Sequence, residues 1–242
     1  MKSLWRILGV AGLYSVWIKR QWMWIIQSIV FAFSIVLIVY GWVGIEGVKT
    51  IIPIWIVIST WGFGLNIIGQ NVGYERISRE WERVIASQLT VSEYFAGMIL
   101  GMLPFGLADI APLIALAILW RFNIKLILLA AALAPLSMAI GAFFSLSVVL
   151  RIKNPMNISA ITNPLYVLTV FLPPVFYPST VFPEPVRTLT LCIPTAAFAE
   201  IIREFARGLC TSNHVYLAGF SILVWLVVTA IATKKALKWG LE

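Results

Sequence analysis

The chain has 242 residues, 61% hydrophobic and 12% charged, with a formal net charge of +8. Soluble domains carry about 25% charged residues, and a water-soluble fold of this size could not hide so much apolar surface. The apolar runs are continuous rather than alternating, which excludes a membrane β-barrel and leaves helices that satisfy their own backbone groups in hydrocarbon.

In chain order, residues 1–21 open with an apolar stretch too short to cross a bilayer. It lacks a small-residue cleavage pattern and ends in Lys19-Arg20. It predicts an amphipathic helix lying on the membrane surface, with Trp5 and Trp17 at headgroup level. Six membrane spans follow, at residues 22–43, 51–71, 95–120, 125–150, 157–177 and 215–233. Each is long enough for a ~30 Å core at 1.5 Å per residue. Trp22, Trp24, Tyr40, Trp42, Tyr94, Trp120, Tyr177 and Tyr216 mark the span edges as an interfacial belt.

Between the second and third spans, residues 72–93 hold a dense polar stretch. Glu75, Arg76, Arg79, Glu80, Glu82 and Arg83 put six charges within nine residues, and nothing so charged sits in lipid. Ile77, Trp81, Val84, Ile85 and Leu89 fall at helical spacing, which predicts one helix with an apolar stripe. Arg76–Glu80 and Arg79–Glu82 would pair on its other face. Such pairs contribute only about 0.2–0.5 kcal/mol each, too little to explain the charge density. A mixed-sign, partly apolar helix suits docking into a groove on a partner, charge setting the register. The plain alternative is a solvated connector.

Residues 178–214 predict two short amphipathic helices, the second starting at Pro194-Thr195. Their apolar faces require them to cap the spans or dip back between them. Glu200 and Arg203 stand three apart on the second helix. Cys192 and Cys210 share this segment, free thiols being the simpler state and a disulfide the alternative.

Basic residues set the orientation. With both termini cytoplasmic, Lys2, Arg6, Lys19, Arg20, Arg76, Arg79, Arg83, Arg151, Lys153, Lys234, Lys235 and Lys238 lie inside. Lys49, Arg121, Lys125, Arg187, Arg203 and Arg207 lie outside, half as many. Charge placed at span ends, not in one stripe, points away from nucleic acid.

Inside the spans, Asp109 is the only acid and is either a partnered structural group or an ion or proton site. Asn66, Gln70 and Asn163 either glue helices together or line a pathway. Pro104, Pro112, Pro135, Pro164, Pro173 and Pro174 are expected to kink or break helices. No metal-ligand spacing and no glycine-rich phosphate loop are present, so no cofactor is expected on this chain.

Three stretches together resemble the permeases of the ABC-2 family, the membrane half of ATP-driven exporters. Glu75-Arg76-Ile77-Ser78-Arg79-Glu80-Trp81-Glu82-Arg83, running on to Thr90-Val91-Ser92, is similar to that family's segment Glu-Arg-Glu-x-Gly-Thr-x-Glu-x-Leu-x-x-Thr-Pro-Val-Ser. Phe171-Leu172-Pro173-Pro174-Val175-Phe176-Tyr177-Pro178 resembles its fifth span and the following turn. Ile193-Pro194 through Glu200 and Arg203 resembles its outer helix. The chain departs from the pattern at Trp81, Val91 and Ile193, where the family has glycine, proline and asparagine.

The resemblance implies a single all-α transmembrane domain over residues 1–242, with six spans, in the plasma membrane. It implies a second permease, identical or similar, and separate ABC ATPase subunits that hold ATP and magnesium. Glu75, Arg76, Arg79, Glu80, Trp81, Glu82, Arg83 and Gln88 become the coupling surface for the ATPase, and Glu200 and Arg203 part of the outer mouth. The rival is a self-sufficient secondary transporter or channel using Asp109; the polar constellations of an intramembrane enzyme are missing.

Overall fold

The computed structural model describes residues 2–20, 22–108, 110–154 and 156–236, and the regular structure among them is entirely helical. α1 (Lys2–Arg20) precedes α2 (Trp22–Val43). A glycine turn at Gly44 (φ 73°) leads into α3 (Ile45–Gly62), which runs through a π-helical stretch, Phe63–Ile68, into α4 (Gly69–Ile77). α5 (Glu80–Ala86), α6 (Val91–Ala108), α7 (Ala111–Leu119) and α8 (Ile124–Val149) follow. Then come α9 (Met156–Val170), α10 (Glu184–Thr190), α11 (Pro194–Ala206) and α12 (Asn213–Ala236). The end of the bundle that carries α5 is called the near end, and the opposite end the far end.

Among the described residues, five helices are long and apolar enough to cross a membrane: Trp22–Val43, Ile45–Ile77, Val91–Ala108, Ile124–Val149 and Asn213–Ala236. The chain is an all-α polytopic membrane protein. The continuous helix Ile45–Ile77 forms the centre and is buried along most of its length, whereas α2 and α12 leave most of their surface uncovered, as lipid-facing helices do. The central helix and α8 pack closely because small residues face each other. A Cβ on Gly141 would stand 2.6 Å from the Trp61 carbonyl oxygen, and one on Gly64 would collide with that of Met138. Ser137 adds a hydrogen bond to the Val57 carbonyl at 2.8 Å.

Several sequence expectations change. The second span begins at Ile45 rather than residue 51, so Glu46 and Lys49 lie inside the helix and pair at 2.5 Å. The third, 95–120, is two helices, α6 and α7, with Pro112 in the first turn of α7, where a missing N–H costs nothing. The fifth, 157–177, is helical only as far as Val170. Pro173 and Pro174 cannot donate backbone hydrogen bonds, and the chain turns there instead. Pro104, Pro135 and Pro164 are carried inside helices.

Residues 178–214 re-enter the bundle. α10 and α11 meet at 112°. Their elbow lies midway along α12, where Trp225 Nε1 donates to the Cys192 carbonyl at 2.6 Å. On the other side of the elbow, Thr195 donates to the Thr169 carbonyl near the end of α9. The outer tips return to the far end, with His214 Nε2 3.8 Å from Glu184. Cys192 at the elbow and Cys210 beyond the other end of α11 are both free thiols. The thirteen-residue helix between them, about 20 Å long at 1.5 Å per residue, keeps them apart.

Candidate functional site

The polar segment is a helical hairpin tip rather than one helix. Arg79 adopts a left-handed conformation (φ 62°), which ends α4 at Ile77 and starts α5 at Glu80. The predicted stripe from Ile77 to Leu89 is therefore interrupted, although Val84 and Leu89 still pack on the core. The Arg76–Glu80 and Arg79–Glu82 pairs do not form. Arg76 instead donates to the Leu150 carbonyl, capping the end of α8. Arg79, Glu80, Glu82 and Arg83 are exposed and make no ion pair among the described residues. The side chains of Trp81 and Ile85 lie outside the description.

This tip is fastened at its base. Glu75 accepts hydrogen bonds from Tyr14 of α1 (2.6 Å) and Tyr94 of α6 (2.5 Å), and the two hydroxyls are 2.8 Å apart. Burial, reinforced by the neighbouring carboxylate, pushes the Tyr14 hydroxyl well above its ordinary pKa, so it remains a donor. At the other end of α5, Gln88 accepts from Arg6 of α1 at 3.1 Å, and Arg6 also lies 3.6 Å from Glu93. Thr90 and Glu93 form a reciprocal capping box at the start of α6 (3.0 and 3.3 Å). α1 packs one face on α6, with Val10 and Ala11 against Gly97 and Gly101. Val10 and Tyr14 are buried against α6, while Leu4, Trp5, Leu8 and Leu13 stay exposed; the Trp17 side chain lies outside the description.

Of the described candidate pathway residues, Asn66 lines a cavity. A cleft of about 260 Å³ opens between α2, the central helix and α9, lined by Trp24, Gln27 and Ser28, by Trp55, Ser59 and Asn66, and by Tyr166. The Asn66 Oδ1 and Trp55 Nε1 atoms are buried there without a hydrogen-bond partner. Gln70 is glue, donating to Thr162 Oγ1 of α9 at 2.7 Å. Asn163 is exposed on α9. Asp109 lies outside the described residues. Towards the far end a second cavity, of about 400 Å³, is bounded by Val39, Glu46, Thr50, Phe176, Arg203 and Arg207. Aromatic rings fill the space between the two: Phe31–Trp55 at 5.5 Å, Trp55–Phe176 at 5.8 Å and Phe171–Phe176 at 5.4 Å between centroids.

Glu200 and Arg203 occupy a buried far-end network. Arg203 spans the proline turn, donating to the Pro174 (2.8 Å) and Val175 (2.5 Å) carbonyls. Glu200 accepts from Ser179 and Arg187, both at 2.8 Å, and sits 3.5 Å from Arg203. Glu204 meets Arg207 at 3.0 Å.

A family profile described as ABC-2 type transporter matches residues 9–205. The chain belongs to the ABC-2 transporter family. It is a membrane transport subunit of that family, and the matched region takes in most of α1, the polar tip, the cleft between α2 and α9 and nearly all of the re-entrant pair. No curated protein and no solved structure matches the chain significantly.

Sequence reading of this ABC-2 chain missed Arg6, Tyr14, Tyr94, Ser179 and Arg187. The Thr90–Glu93 spacing did carry a signal, that of a capping box. Tyr94 read only as an interfacial aromatic and Tyr14 carried no signal, since nothing local places them on either side of Glu75.

Proposed function

We propose that this chain is the permease subunit of an ATP-driven exporter, working as a dimer with a second copy or a similar permease. ATP and magnesium bind on separate ABC ATPase subunits, which dock on the α4–α5 tip. The near end, with both termini, faces the cytoplasm of a plasma membrane, and α1 lies along its inner surface.

The observation that carries this reading is the tip itself. Its outer charges (Arg79, Glu80, Glu82 and Arg83) are exposed and make no ion pair among the described residues, while its base is bonded to α1, α6 and α8 through Glu75, Gln88 and Arg76. A force applied at the exposed charges passes directly into the continuous helix Ile45–Ile77, which lines the cleft. The π-helical stretch that bears Asn66 lies on that route, and such wide turns recur at functional positions. Cargo enters at the cleft, passes the aromatic cluster and leaves through the far-end cavity, where its headgroup meets Glu46, Arg203 and Arg207. The lining, aromatic rings interspersed with polar side chains, suits an amphipathic cargo such as a drug or lipid-linked glycan.

The test is a mild-detergent pull-down from native cells, beside a Glu80→Lys/Glu82→Lys variant. Recovery of an ATPase by wild type and not by the variant is expected. If neither recovers an ATPase while both remain folded, the exporter reading fails. Gradient-driven flux abolished by Asp109→Asn would then identify a secondary transporter.

A further inference from the structure

At the near end a further cavity, separate from both the cleft and the far-end cavity, lies between α6, α8 and α12. It measures about 800 Å³, within the range of about 300–1,000 Å³ typical of pockets that enclose a ligand. Phe95, Ala96 and Ile99 of α6, Phe143 of α8 and Ala230 of α12 line it, and it has no acid in its wall. Its mouth is different in character. Thr90 and Ser92 stand at the start of α6, and Lys234 in the last turn of α12.

Three features give that mouth a positive potential. Lys234 and its neighbour Lys235 are exposed, and neither makes an ion pair among the described residues. The Thr90–Glu93 capping box engages the Thr90 and Glu93 amides and leaves those of Val91 and Ser92 without an acceptor in their own helix. The start of a helix carries partial positive charge. Glu93, the one acid in this turn, is turned towards α1, where Arg6 lies 3.6 Å away. An oily slot between two spans, opening at their ends under a cationic, hydroxyl-bearing rim, matches the shape and polarity of a phospholipid.

We propose that this groove is a binding site for one anionic phospholipid. An acyl chain fills the slot along Phe95, Ile99 and Phe143, and the phosphate rests on Lys234, the Ser92 hydroxyl and the first amides of α6. The groove shares no residue with the cleft between α2 and α9, so the lipid is a bound structural partner there, not cargo. It would also tie the end of α12 to the start of α6, where the polar tip rejoins the bundle.

Native mass spectrometry of the purified full-length protein, titrated with phosphatidylglycerol or with phosphatidylcholine of the same chain length, tests this. Wild type is expected to retain one phosphatidylglycerol in preference to phosphatidylcholine. Lys234→Gln with Lys235→Gln should lower that preference by about fivefold per lysine. Ala96→Trp, which fills the slot and leaves the rim charges in place, should abolish the retained lipid, with folding checked by circular dichroism. Lys49→Gln at the far end should change nothing. Equal retention of the two lipids by wild type overturns the proposal. So does unchanged phosphatidylglycerol binding by folded Ala96→Trp, or displacement by glycerophosphoglycerol, which has no tails, as effective as by intact lipid.

Discussion

The two charged helices of this protein look alike in sequence and do opposite things. α5 carries Glu80, Glu82 and Arg83, and α11 carries Glu200, Arg203 and Glu204. On α5 the charges are exposed and make no ion pair among the described residues. On α11 they are buried to within a few per cent, and each has a partner. The difference follows from what each helix must satisfy. The chain around Pro173 and Pro174 leaves carbonyls without intrahelical donors, in a part of the fold screened from water, and Arg203 supplies them. The hydrated tip has no such debt, so its charges remain free to meet a partner.

Substitutions separate the two regions, and the largest effect is expected at Arg203. Arg203→Ala leaves the Pro174 and Val175 carbonyls without their donor, while Glu200 keeps Arg187 and Ser179, and should destabilise the protein by about 2–6 kcal/mol, read as a lowered unfolding midpoint in detergent. Arg203→Lys should recover only part of this, because an ammonium lacks the planar fork that reaches both carbonyls. If Arg203→Ala unfolds like wild type, the far-end network is not structural.

At the root of the tip, Glu75→Ala removes the carboxylate that accepts from both the Tyr14 and the Tyr94 hydroxyl. A loss of about 1–3 kcal/mol is expected, and uncoupling of α1 should appear as faster amide hydrogen exchange in α1 and the start of α6. Unchanged exchange there would show that apolar packing alone holds α1 in place.

Stability should shift by no more than about 0.5 kcal/mol in Glu80→Lys/Glu82→Lys, since these side chains are exposed and make no ion pair among the described residues. Loss of partner binding at unchanged unfolding midpoint is the signature of a docking surface. A large destabilisation would mean that the tip is a structural element after all. The smallest effect belongs to the exposed Glu46–Lys49 pair. Lys49→Gln should cost between about 0 and 1 kcal/mol and serves as the reference for an ordinary surface ion pair.

Most of the helical inventory was legible in the residues, because a membrane imposes long apolar runs that leave a plain trace. The runs over α2, the central helix, α8 and α12 are of this kind. Legibility failed where helices are short or broken by contacts made elsewhere. α9 ends at Val170 because a proline turn is received by an arginine some thirty residues later. The polar stretch reads as one amphipathic helix, and the left-handed Arg79 that divides it has no local signature. In the candidate site, Glu75 and Gln88 were visible as polar positions, but their partners Tyr14, Tyr94 and Arg6 were not, since they come from other helices. Asn66 and Gln70 looked equivalent by spacing. Only packing made one a cavity wall and the other a tie to Thr162.

Sequence by itself determined that the chain is an all-α membrane protein with a hydrated, charged segment after its second span. Those properties follow from transfer free energies that act residue by residue. Tertiary structure decided which charges are buried and which are offered, that residues 184–206 dip into the bundle and return, and where the cavities lie. Each of these depends on contacts between residues distant in the chain, and no local pattern of hydrophobicity or charge records them.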